Sequence, residues 1–498
     1  MLRPYNASTM YISFLIIAHA PYLRRAGRQP SGEEPLHEMI AQGLIPLIDL
    51  LSDFQRSGLK PQVALACSPL LIEQLADPVL QKHFILWMEE RLERRSEELH
   101  RFESENDAHS SYLARFYLEW GRQKLQTFTS RYNRNLIQRL RDLVSAQMVE
   151  PLAVPATHAY LPLLGREESV RAQIEQGILH TSRTLGRPDG IWLPGGGWRP
   201  GIEQVISDVG INYMVVDPSC MPSETEQRPI NLLKYRLAAL APDESLAQHI
   251  WTPELGYVGD PLYRSPDEPG GYAAIGLRSP QPYDPYHALR RAQEHATHFV
   301  QLLLAEHERR APDDLALVLL DVAMIGQTWF EGTTWLQAVL MLCATHPALH
   351  LTTPAAYLRT QTTRQQSNLQ AGSWAETCNA NWQTATTDEY WRAIHHAEAM
   401  MVAIASEFPS AEEDQERVLN QAARELMLAQ TSDWPEALVA TGVAGEQRER
   451  WQIYLGRFER LIEIARQPQM SPTDFFLLDQ LEELDGPFPN LNYRIFAS

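Results

Sequence analysis

The stretch that decides the fold is Met10-Tyr11-Ile12-Ser13-Phe14-Leu15-Ile16-Ile17-Ala18-His19-Ala20-Pro21-Tyr22. Two readings compete for it. An apolar run behind Arg3 that ends in Ala18-His19-Ala20 imitates a short export leader with its cleavage site. The same run is dense in β-branched and aromatic residues and stops at a Pro-Tyr loop, as a fully buried strand does. We read Met10 to Ile17 as a strand, the first of a parallel sheet.

Working outward, six further short apolar runs have this character: Gln62 to Cys67, Val149 to Val154, Gly190 to Leu193, Ile211 to Val216, Leu315 to Leu320 and Leu349 to Thr352. Helical patterns alternate with them. Leu36 to Phe54 places Ile40, Leu44, Leu47, Leu51 and Phe54 on one face and meets Gly58 as a stop; Ser169 to Leu185 and Gly201 to Val209 repeat the pattern. Strands alternating with helices predict an α/β fold with a parallel sheet, and seven of them fit an irregular barrel.

Two segments interrupt the rhythm. Residues 71–143 are charged and helical, a predicted insertion, and Pro261 to Tyr286, rich in Pro and Gly, reads as a long loop inside an insertion of about 255–290. Gln361 to Gln370 is polar and linker-like. Asp388 to Ser406, Ala411 to Gln430 and Gly445 to Ala465 then form helical patterns, the last with Trp451, Leu455, Phe458, Leu461 and Ala465 on one face. The expected division is a barrel over 1–360 and a helical domain over 361–498.

Composition narrows the function. The chain has 498 residues, with 43 Lys and Arg against 62 Asp and Glu and a net charge of −19, which repels phosphate backbones and excludes nucleic acid as a general partner. No apolar run approaches a membrane-spanning length. Cys67, Cys220, Cys343 and Cys378 are scattered and form no C-x-x-C pair, so reduced thiols in a cytoplasmic protein are expected. Phosphate loops, nucleophile elbows, HExxH helices and dinucleotide fingerprints are absent, and nothing calls for a cofactor or metal. The candidates are polar residues at strand ends, which form the mouth of a barrel. They are His19, His158, the run Trp192-Leu193-Pro194-Gly195-Gly196-Gly197-Trp198-Arg199-Pro200-Gly201, and Asp321.

On these residues the chain resembles glycoside hydrolase family 57 in its 1,4-α-glucan branching enzyme branch. His19 to Arg24, Ala156 to Leu164, Ile191 to Gly201, Asp321 to Gly332 and Trp251 to Arg264 are each similar to a family segment. Ala422 to Trp434 and Ser373-Trp374 are similar to runs of the family's helical domain. The resemblance implies a distorted (β/α)7 barrel with a helical insertion and a C-terminal helical domain. It also implies retaining chemistry by two carboxylates, with Asp321 on the acid/base position.

The nucleophile position falls on Gly195, which has no side chain with which to form a glycosyl intermediate. Ile17 stands where the first motif has its other histidine. Ala323 replaces a glutamate, Gln327 a histidine, and Glu389 a tryptophan. The resemblance thus carries the expectation of an inactive relative that still binds an amylose- or glycogen-like α-glucan. Trp329, Trp374, Trp434 and Tyr257 would be stacking faces, and His19, His158 and Asp260 hydrogen-bonding groups. Three alternatives stay open: an active transferase with a relocated carboxylate such as Glu254, which stands in Trp251-Thr252-Pro253-Glu254; a scaffold without sugar affinity; and, more distantly, a metal-dependent deacetylase.

Overall fold

The computed structural model describes residues 9–24, 26–27, 32–223, 228–252, 256–265, 271–272, 282–361, 364–374, 379–440 and 444–497. Among the described residues there are ten strands: β1 (Met10–Ala18), β2 (Val63–Cys67), β3 (Val149–Leu152), β4 (Gly190–Trp192), β5 (Tyr213–Val215), β6 (Ile230–Leu232), β7 (Ala238–Leu240), β8 (Leu315–Asp321), β9 (Leu349–Leu351) and β10 (Gln366–Ser367). One parallel ladder runs β3-β2-β1-β8 and another β4-β5-β7. A parallel bridge between Ala153 and Ile191 joins β3 to β4. Beyond β7, the Asp243 amide donates to the Leu317 carbonyl of β8 at 2.8 Å. Alternate residues of these seven strands turn inward and fill the barrel: Leu15, Ile17, Ala64, Ala66, Leu152, Trp192, Tyr213, Val215, Ala238, Leu240 and Leu317 are buried together.

This is the distorted (β/α)7 barrel that the resemblance implies, with one correction to its strands. The run at Leu349 forms β9, which pairs only with the start of β1 (Met10 to Ile12). The seventh strand is β7, Ala238-Ala239-Leu240. It has no β-branched or aromatic residue, so its sequence carries no strand signal. β6 pairs antiparallel with β7, and β10 pairs with β6. The segment expected as a linker is therefore partly tied into the sheet: Gln366 pairs with Asn231, and the Gln370 amide bonds the Cys220 carbonyl at 2.9 Å.

Helices Pro78–Ser104 and Ala108–Gln126, capped by Asp77 and Asp107, lie in the region read as an insertion. The long loop expected before Tyr286 lies mostly outside the described residues, and helix Pro285–Arg309 begins at its end. At the C-terminal side, Asp388–Glu407, Glu413–Ala429, Asp433–Val439, Ala444–Ala465 and Pro472–Leu484 are helices. Their apolar faces share one core with the outer face of the barrel, where Tyr160, Val170 and Ile174 are buried with Trp391, Ile394, Leu426 and Phe458. No helix among the described residues is long and apolar enough to cross a membrane.

Candidate active site

The register of β1 and β8 builds the site. Ile17 pairs with Asp321, so the two strands leave the sheet at the same end. Residues 15, 17 and 19 share one face of β1, and 317, 319 and 321 share one face of β8. Because Leu15, Ile17 and Leu317 line the barrel interior, His19 and Asp321 stand above it. Ala18 pairs with Cys67 of β2, which brings Ser68 beside His19, its Oγ 2.8 Å from Nδ1.

The C-terminal helices close the site. His19 Nε2 lies 3.0 Å from Asp433 Oδ2 across 414 residues of chain. His158 stacks flat on His19, with ring centroids 3.9 Å apart and planes 9° from parallel, and its Nδ1 lies 2.9 Å from Ser432 Oγ. His158 holds φ at 56°, a left-handed turn that aims the ring inward. Burial, then the neighbouring His19, push its pKa well down, so it is neutral at pH 7. Burial opposes ionisation of Asp433, but His19 and the Thr431 hydroxyl outweigh it and hold the carboxyl at about 2. Asp321 is raised by burial, against the opposing pull of amide donation from Ala323 (2.7 Å) and Met324 and of His19.

Glu436 was not among the residues singled out from sequence. On helix Asp433–Val439, Trp434, Pro435 and Leu438 are buried against the core, which leaves Asp433, Glu436 and Ala437 on the other side. Glu436 is exposed to solvent. The surrounding protein still displaces enough water that, with Asp433 and Asp321 close by, its carboxyl is pushed up to about 8. The signal that could have found it is its spacing of three from Asp433 in the run Thr431-Ser432-Asp433-Trp434.

The other expected residues fall elsewhere. Gly195 sits at φ 64° under an aromatic lid. A β-carbon there would lie 3.0 Å from Trp382 Cζ2 and 3.3 Å from Tyr160 Cε2. Tyr160 and Trp382 stack at 4.2 Å, and Trp374 continues the column at 6.1 Å. Trp374 is 56% exposed, and its amide donates to the Gly195 carbonyl at 3.2 Å.

Trp329 and Trp434 are instead core residues, at 0% and 1% exposure. Trp329 packs on Tyr263 and Trp335, and the Trp434 indole N–H donates to the Leu428 carbonyl. Tyr257 is buried and bonds His298, and Asp260 pairs with Arg291. Both are engaged with helix Pro285–Arg309 rather than with the histidine pair. Glu254 lies outside the described residues. No group of three or more His, Cys, Asp or Glu among the described residues is arranged to hold a metal ion.

A seven-stranded parallel barrel with stacked His19 and His158, the His19–Asp433 pair and Asp321 at its strand ends defines an α/β-barrel protein with a polar site at its mouth. Residues 13–369 match glycosyl hydrolase family 57, and the chain belongs to that family. Residues 393–496 match the C-terminal region of 1,4-alpha-glucan branching enzymes. The chain is 33% identical to the 1,4-alpha-glucan branching enzyme TK1436 of Thermococcus kodakarensis, over 96% of this chain and 77% of that protein. The GH57-type branching enzyme of Pyrococcus horikoshii superposes with a TM-score of 0.90 at 30% identity, covering 98% of this chain and 97% of that one. The alpha-amylase AmyC of Thermotoga maritima gives 0.88 at 25% identity, covering 99% of both.

Proposed function

We propose that this protein acts on α-1,4-glucans as a branching-type glycosyl transferase, with the carboxylates at the barrel mouth replacing the one missing at position 195. The observation that carries this reading is Asp321, raised by burial, beside the His19–Asp433 pair and within electrostatic reach of Glu436. The mouth therefore holds more than one carboxyl group in unlike environments, the condition under which one gives a proton while another stays ionised. The similarity to branching enzymes supplies the substrate class. The test is incubation with amylose, read by the fall in iodine staining and by the anomeric proton signals of new α-1,6 linkages. Absence of both, with a folded protein, overturns the reading.

A second reading, glucan binding without turnover, is favoured by one observation: Gly195 is covered by Trp382, while Trp374 leaves a face open to solvent. Retarded migration in glycogen gels without any change in chain linkage would support it.

A further inference from the structure

The loop that carries His158 and the segment that carries Asp433 are joined by a buried chain of side chains. The Thr157 amide donates to Gln173 Oε1 at 3.0 Å, Gln173 Nε2 donates to Gln430 Oε1 at 2.8 Å, and Gln430 Nε2 donates to Glu398 Oε1 at 2.9 Å. The other Glu398 oxygen accepts the Gly165 amide at 2.8 Å, at the far end of the His158 loop. Thr157, Gln173, Glu398 and Gln430 are all fully buried, so a lost bond is costly. Thr157 precedes His158, and Gln430 precedes Thr431-Ser432-Asp433, whose last two members bond His158 and His19.

This chain has a direction. Each glutamine has one side that donates and one that accepts. A backbone N–H only donates and an ionised carboxylate only accepts, so the two ends fix how both amides point. A proton on Glu398 Oε1 would face the Gln430 NH2 group. Turning Gln430 over to receive it sets that NH2 against the NH2 of Gln173. Turning Gln173 in response leaves the Thr157 amide facing another donor. The disturbance therefore ends at the residue beside His158.

We propose that Glu398 is a positioning residue for this site: its ionised carboxylate sets the direction of the Gln430–Gln173–Thr157 chain, and through it the seat of His158 against Ser432. Its bearing on catalysis rests on the reading of the chain as an α-glucan transferase; its bearing on the histidine does not.

The seat is also sensitive to pH. Burial pushes the Glu398 carboxyl up to about 7, against the opposing pull of the Gly165 amide, Ser169, Gln430 and Arg166. Arg166 is the cation that acts on it, Tyr390 on its own helix feels its charge, and the His395 ring abuts the same Gly165. The seat is firm above about 7 and loosens as pH falls through that value.

The test uses the whole chain, isotope-labelled in its histidine rings, with the His158 magnetic resonance signal assigned by its loss in His158→Asn. Above the Glu398 pKa, Glu398→Gln should displace the His158 signal. The double variant Glu398→Gln with Gln430→Glu should return it, because the acid moved to position 430 accepts from Gln173 and from the new amide at 398. On amylose, Glu398→Gln should lower kcat roughly tenfold to a hundredfold with KM little changed, and the double variant should restore it. A wild-type His158 signal in folded Glu398→Gln overturns the proposal, as does a double variant that loses as much as the single one. Should Glu398→Gln fail to fold, the double variant decides: a wild-type His158 signal is expected, and an unfolded chain or a displaced signal overturns the proposal. A folded wild type inert on amylose overturns the transferase reading and leaves the positioning role to be decided by the His158 signal.

Discussion

Gly195 shows how much one side chain can decide. Its φ of 64° and the Trp382 ring 3.0 Å from any added β-carbon oppose a substitution in two ways. Gly195→Ala should cost about 1–3 kcal/mol from left-handed strain and overpacking, read as a lower urea midpoint at unchanged slope. Glu331 is a second case. Its buried carboxyl accepts the Tyr283 hydroxyl, and burial raises it from 4.5 to about 7. A raised carboxyl favours the folded state below its unfolded pKa, and that contribution is lost as pH rises from 4.5 through about 7. Glu331→Gln should remove this slope, so its stability relative to the wild type improves by about 3 kcal/mol between pH 4 and pH 8. Urea unfolding at the two pH values checks it.

At the scale of elements, the short helix Asp433–Val439 holds the site together, and His19 holds the helix. Asp433 is depressed to about 2, so its contribution of about 2 kcal/mol is present above pH 4 and lost as pH falls through about 2. His19→Ala should cost about 1–3 kcal/mol at pH 7, by leaving Asp433 buried beside an empty space. The deficit should shrink as pH falls toward 2, followed by urea midpoints at successive pH values. This helix also shows what sequence can and cannot reveal. β1, β2 and β8 were legible because each is an unbroken apolar run longer than a turn. β7 was not, because Ala-Ala-Leu suits any conformation. His19, His158 and Asp321 were legible because strand ends converge in a barrel. Asp433 was not, because its place in the site depends on a contact with His19, 414 residues away, that no local pattern records.

At the scale of the molecule, the C-terminal helices have no core of their own apart from the one they share with the outer face of the barrel. Thr157 donates to the Met427 carbonyl at 2.7 Å, Gln173 to Gln430 at 2.8 Å, and Gln430 to Glu398 at 2.9 Å, all among buried apolar side chains. Residues 1–360 produced alone should therefore expose the outer barrel face, bind a hydrophobic dye and lack a cooperative melt, whereas the whole chain should unfold in one transition by calorimetry. The short apolar runs alternating with helical patterns, and the three C-terminal helical patterns, made this architecture readable. The shared core was not readable, because an apolar helix face does not say which surface it will meet. The 414-residue span between His19 and Asp433 also has a meaning in time. A ribosome adding about 5–20 residues per second takes tens of seconds to pass from one to the other. Throughout that interval the nascent chain carries a histidine whose carboxylate partner has not yet been made. The stacked histidines thus meet their carboxylate only once the C-terminal helices have been made.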